Sequence, residues 1–176
     1  DVTGAVTLGG ALNLVEITTG NPPAGTTIIL INNDSTDAVS GTFTQTTPRL
    51  EGSEVTDDDG AKYVISYAYI GGGDGNANDV ALFATGAGAE THVSLSGGVL
   101  QITDITSESV NNIAVSYNSG ANTYTISEAA AANVIATSGV TVVSRTANSV
   151  TISAAGITEI TINTTGPTTP VEVGDT

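Results

Sequence analysis

The stretch from Tyr63 to Phe83 constrains the fold more than any other. Two apolar segments, Tyr63-Val-Ile-Ser-Tyr67-Ala-Tyr69-Ile70 and Val80-Ala-Leu82-Phe83, flank the loop Gly71-Gly-Gly-Asp74-Gly-Asn76-Ala-Asn78-Asp79. β-Branched and aromatic side chains fit a pleated surface and lose rotamer freedom in a helix, so both segments are predicted to be strands. Tyr63, Tyr67, Tyr69 and Phe83 are four of the chain's seven aromatic residues, five Tyr and two Phe, so bulky packing should concentrate here. The loop between is where side-chain oxygens crowd together between two segments held rigidly, and a bound ion is best sought there.

The rest of the chain extends the pattern. Trp, Met and Cys are absent, so Val, Ile, Leu and Ala must fill the core, and 39% hydrophobic content over 176 residues is enough for one. With 21 glycines for turns, an all-β fold is predicted. Val2–Leu8 and Ala11–Ile17 read as two alternating strands broken by Gly9-Gly10. Thr26–Ile31 is a continuous apolar run, typical of a strand buried on both faces or curving across an interior. From His92 onward short strands arrive at near-regular intervals, separated by Ser96-Gly-Gly98, Asn118-Ser-Gly-Ala-Asn122 and Ala154-Ala-Gly156. Only Glu128–Asn133 has a helical flavour, and it is too short for more than one turn or a loop.

Two architectures fit such a succession. The continuous runs at Thr26–Ile31 and Val140–Val143, with a palette of small aliphatic residues, Thr and Asn, favour a right-handed parallel β-helix, or solenoid. The hairpin signal at Asn118–Asn122 favours β-sandwich modules. The solenoid is the first expectation and the sandwich the alternative. Gly86-Ala-Gly88-Ala89 is the best candidate boundary, giving one module over residues 1–85 and a second over 86–176, either separate from the first or continuous with it.

The net charge is −15, from 18 acidic residues against Arg49, Lys62 and Arg145. Phosphate neutralisation needs clustered Lys and Arg, so nucleic acid is a poor partner, and an anionic membrane surface is disfavoured for the same reason. No apolar run approaches the ~20 residues of a membrane-spanning helix. Self-repulsion favours solubility and draws counter-cations. The scarcity of Lys and Arg leaves few cleavage points for trypsin-like proteases, which suits life outside the cell.

The acidic residues are unevenly spread, with seven of the 18 between Glu51 and Asp79. Asp74, Asn76 and Asn78 match the first, third and fifth ligand positions of an EF-hand loop, but Asp79 stands where Gly is required and Thr85 where a bidentate Glu is required. The calcium β-roll phrase, Gly-Gly-x-Gly-x-Asp-x-apolar, is closer, with a two-residue insertion and no tandem copy. Asp74, Asn76, Asn78 and Asp79 are therefore the candidate calcium ligands, with a plain structural turn as the competing reading. Asp57 and Asp59, in the run Asp57-Asp58-Asp59-Gly60, are weaker candidates whose competing reading is a solvated turn. Asn32–Asp37 reads as an Asx-type turn, and Asn33-Asp-Ser35 and Asn163-Thr-Thr165 are formal glycosylation sequons.

Catalytic apparatus is hard to find. His92 is the sole histidine, without a nucleophile-elbow phrase, and is expected on a solvent-facing strand. Paired carboxylates acting on acidic polysaccharides would have to come from Asp57, Asp74 and Asp79 with Arg49 or Lys62. Gly71–Gly75 lacks the Lys-Ser/Thr ending of a phosphate loop. The expected class is non-enzymatic.

The phrases Val6-Thr-Leu-Gly-Gly-Ala-Leu-Asn-Leu14, Gly25–Phe43, Tyr63–Tyr67, Gly72-Gly-Asp-Gly-Asn76 and Asn78-Asp-Val-Ala-Leu82 occur in that order. Together they resemble the end of the passenger region in bacterial autotransporter-type and related giant surface proteins, which carry autotransporter-associated β-strand repeats. The resemblance covers about the first 85 residues, and the second half looks like the repetitive β modules that follow such segments. It implies a right-handed β-helix, export to the cell surface and a structural or adhesive role. This chain departs from the family's compact Gly-Gly-Asp-Gly-Asn-Asp phrase at Ala77-Asn78 and is richer in acid at Asp57–Asp59. The leading expectation is a structural module of an exported surface or fibre protein, a fragment or subunit that associates with itself or with neighbouring modules. The alternative is a calcium-binding adhesin module recognising glycan or protein.

Overall fold

In a computed structural model the chain is described over residues 2–15, 21–33, 36–44, 49–71, 73, 75–86, 89–105, 113–129, 132–164 and 171–175, the last by backbone alone. Fifteen strands occupy the described residues, and no helix does: β1 (Val6–Thr7), β2 (Thr27–Ile31), β3 (Val39–Ser40), β4 (Glu54–Thr56), β5 (Lys62–Tyr69), β6 (Asp79–Gly86), β7 (Thr91–Ser96), β8 (Val99–Asp104), β9 (Ile113–Asn118), β10 (Thr123–Glu128), β11 (Ile135–Ser138), β12 (Val142–Arg145), β13 (Ser149–Ser153), β14 (Glu159–Asn163) and β15 (Val171–Asp175). The all-β expectation holds. Stacked parallel rungs are not shown: the sheets are mixed, with antiparallel hairpins β5–β6, β7–β8, β9–β10 and β12–β13 beside parallel pairs such as β7–β11 and β8–β14.

Local chemistry explains the hairpins. Ser96 pairs with Val99, leaving Gly97 and Gly98 as a two-residue turn with φ of 59° and 85°. That double positive φ matches the right-handed twist of the flanking strands, and only glycine adopts it without strain. In the β9–β10 turn the positive φ falls on Asn122, at 52°, and Asn tolerates that region better than other side chains. Tyr117 and Tyr124 face each other directly across this ladder with ring centroids 4.9 Å apart.

A nine-stranded sheet runs in the order β15-β9-β10-β13-β12-β5-β6-β2, with β4 also on β5. A second sheet, β11-β7-β8-β14, lies against its β9-β10-β13 part. Val93, Leu100 and Ile102 from the small sheet and Ile113, Val115, Ile126, Val150 and Ile152 from the large one fill a single apolar cluster, all but Val115 fully buried.

The β5–β6 hairpin is covered on both faces. Val64, Ala81 and Phe83 pack with Ala89, Val134 and Ala136 on one side. Tyr63, Ile65, Leu82 and Ala84 pack on the other, with Leu12, Leu14, Leu30 and Phe43 against them. Alternation along a strand thus feeds two cores, which is why Asp79–Thr85 is buried at every position.

Two readings of the amino-terminal part need correction. Ala11–Val15 forms no strand, although Leu12 and Leu14 turn towards the core in alternation. The segment is tied in without a ladder, for example by the Asp58 N–H, which donates to the Leu14 carbonyl at 3.3 Å. The Thr26–Ile31 run is not buried on both faces: β2 is an edge strand, with Ile28 and Ile29 exposed at 38% and 43%. Burial on both faces falls instead to β6 and to Tyr63–Ser66 of β5.

Candidate functional site

The loop before β6 ends in Asn78 and Asp79, both buried, with Asp79 fully so. Tyr69 lies opposite Asp79 in the β5–β6 ladder. The structure brings to this point a second segment that the loop's own spacing does not reveal. Asn33, fully buried just after β2, donates its backbone N–H to Asp79 Oδ1 at 2.9 Å. The Asn33 Nδ2 and Asn78 Nδ2 groups both donate to the Asp37 carbonyl, at 2.8 and 3.0 Å. Asn33, Asp37, Asn78 and Asp79 therefore form one buried polar knot between the chain leaving β2 and the chain starting β6.

Burial also rules out glycosylation of Asn33 in the folded protein, whereas Asn163 is exposed. Of the other candidate ligands, Asn76 is half-buried in the loop and Asp74 lies outside the described residues. Among the described residues no three acidic or histidine side chains gather to hold a metal ion.

Asp57 serves a turn. Its Oδ1 accepts the N–H groups of Asp59 and Ala61 at 3.1 and 2.7 Å, and its Oδ2 accepts the Tyr63 hydroxyl at 3.1 Å. Asp59 is exposed. Asp57 sits beside the Lys62 end of β5 and Asp79 beside the Tyr69 end, seven residue steps apart, or about 23 Å along the strand. Glycoside-cleaving carboxylate pairs stand within about 10 Å of each other, so these two do not make one.

His92 is half-buried on β7, and its Nε2 lies 3.2 Å from Ser138 Oγ on β11. The two line an open cleft of about 340 Å³ with Gly52, Glu54, Ala136 and Thr137. Ser138 is the only hydrogen-bond partner of His92 among the described residues, so the third member that orients a catalytic imidazole is not among them.

A second buried polar centre ties the two halves together. Arg145, at the end of β12, has a fully buried side chain, lies 3.3 Å from Glu51 Oε1 and stacks over Phe83 at 5.4 Å from the ring centroid. Its Nη2 donates to the Ile135 carbonyl, while Glu51 also accepts the Tyr67 N–H. Desolvation drives the guanidinium pKa down, and the Glu51 carboxylate opposes that shift. Next to it, Gly52 donates to the Ile65 carbonyl and accepts from the Thr137 N–H at 3.1 Å. With φ at 76° and Thr137 Oγ1 1.7 Å from where a Cβ would stand, only glycine fits there. The sequence offered no signal for this centre, since its partners are 94 residues apart.

A third centre lies at Glu128, buried at the end of β10, which accepts the Thr91 hydroxyl. Desolvation raises its pKa above the ordinary value of 4.5, hydrogen bonds from Thr91 and Asn133 oppose the shift, and the carboxylates of Asp104 and Glu90 add to it.

Comparison of the chain with protein-family models, with curated proteins and with solved structures returns no match.

Proposed function

We propose that this chain is a non-catalytic structural module of an exported bacterial surface or fibre protein, which associates with copies of itself or with neighbouring modules. The observation that carries the reading is the continuity of the large sheet through both halves. It crosses the joint by the β5–β12 pair, and the Arg145–Glu51 pair and the Gly52–Thr137 bonds brace that joint. Such bracing resists bending between modules and serves no evident chemistry. The finer architecture we read as a β-sandwich in the carboxy-terminal half, supported by an apolar cluster that both sheets contribute.

Self-association is supported by the edge strand β2, whose Ile28 and Ile29 are exposed. An edge carries unpaired backbone groups and templates further pairing unless something covers it. With a net charge of −15, copies repel at low salt, so association should strengthen with ionic strength. Sedimentation velocity across protein and salt concentration, with electron microscopy of the same samples, tests this. Concentration-dependent assembly that Ile29→Lys abolishes is the expected outcome; compact monomers under every condition would overturn it.

A further inference from the structure

We propose that Asn33, Asn78 and Asp79 form an oxygen-ligand site for a divalent cation, calcium by its chemistry, which fastens the segment after β2 to the start of β6. The proposal stands apart from the structural role above and survives if that role fails.

The starting observation is the Asn33 side chain. It is fully buried, and its Nδ2 is committed to the Asp37 carbonyl, but its Oδ1 has no hydrogen-bond partner among the described residues. A buried acceptor left unsatisfied is costly, and native structures rarely keep one without a donor, an ordered water or an ion. The orphaned oxygen belongs to a residue whose backbone N–H donates to Asp79 Oδ1 at 2.9 Å, which sets the two residues side by side. Asn78 is held to the same Asp37 carbonyl as Asn33, which brings a second carboxamide to the spot.

A carboxylate and two carboxamides make a hard, all-oxygen set. Such a set suits calcium, which takes six to eight oxygen ligands in flexible geometry and accepts water for those the protein does not supply. One carboxylate among few protein ligands places the affinity on the order of 10⁻⁴–10⁻³ M, the range of extracellular modules. A strongly acidic chain concentrates cations at its surface, which favours occupancy.

The full chain is stripped with EDTA, then titrated with CaCl₂ by calorimetry and melted with and without CaCl₂, with NaCl of equal ionic strength as control. Saturable binding near one ion per chain is expected at this site. At about a hundred times Kd, the unfolding equilibrium constant should fall about a hundredfold. Terbium placed in the site should luminesce on tyrosine excitation, because Tyr69 is paired with Asp79.

Asp79→Asn should abolish the calcium response, and Asp57→Asn should leave it intact. Should Asp79→Asn fail to fold, Asn33→Asp decides. A cation site gains a charged ligand, binds calcium roughly tenfold more tightly, and the variant is rescued by calcium. A site served by water gains only a buried charge that calcium does not relieve. No saturable calcium heat in the wild-type chain, or a response that survives Asp79→Asn, overturns the proposal.

Discussion

Removing Glu51 should damage the protein more than removing its partner Arg145, although they form one ion pair. In Glu51→Ala the guanidinium stays in place with its side chain wholly shielded from solvent and no carboxylate beside it. Breaking a buried pair in this way costs about 3–5 kcal/mol, and the Tyr67 N–H, which also donates to Glu51, loses its acceptor for about 1 kcal/mol more. In Arg145→Met the remaining carboxylate is 21% exposed, is reached by water and keeps the Tyr67 N–H, while the methionine still covers Phe83. The main loss is the donor to the Ile135 carbonyl, about 1–3 kcal/mol.

For a chain of 176 residues each kcal/mol moves the midpoint by about 2–4 °C, so Glu51→Ala should melt about 8–24 °C lower than wild type. Arg145→Met should melt about 2–12 °C lower. The double variant Glu51→Gln/Arg145→Met should lie close to Arg145→Met, because removing both charges leaves none stranded. Thermal and urea unfolding of the four proteins measures this. The reasoning is refuted if Arg145→Met is the more damaging single change, or if Glu51→Ala costs under about 1 kcal/mol.

Other outcomes follow from the same geometry. Gly52→Ala puts a Cβ into Thr137 Oγ1 at a positive φ and should cost about 2–4 kcal/mol in urea unfolding, more than Gly60→Ala, whose Cβ would meet open space. Asp57→Ala removes three hydrogen bonds from the turn before β5 and should cost about 1–2 kcal/mol without touching calcium binding. Glu128 has its folded pKa raised above the unfolded value, so its ionisation opposes folding fully above the folded pKa. The penalty eases as pH falls through that value and is gone below the unfolded one. Glu128→Gln should accordingly stabilise the protein near neutral pH by on the order of 1 kcal/mol, an advantage that denaturant midpoints taken across the acid range should show shrinking to nothing.

The elements written into the sequence are those whose cause is local. The two apolar segments around Gly71–Asp79 are β5 and β6, and the Ser96–Gly98 and Asn118–Asn122 turns close hairpins where their chemistry demands. What could not be read depends on which strands become neighbours. Ile28–Ile31 and Val80–Phe83 are both unbroken apolar runs, yet only the second is flanked on both sides and covered on both faces.

The candidate site divides in the same way. Asn78 and Asp79 were marked by the glycine-rich loop, but Asn33 looked like part of an ordinary Asx turn. Its burial follows from Val2, which bridges to Asn33, and from the pairing of β2 with β6, and neither is visible in residues 32–37. Arg145 read as one of three scattered charges until the fold set it against Glu51.

The joint between the halves has a mechanical consequence. A single residue pair, Arg145 with Tyr69, stitches β12 to β5, while the hairpins on either side have ladders several residues long. Opening that joint would also break the Arg145–Glu51 pair, the Gly52–Thr137 bond and the apolar cluster that Val64, Ala81 and Phe83 share with Ala89, Val134 and Ala136. The short β12–β5 ladder is thus backed by a core common to both halves, and the two should unfold together rather than one after the other.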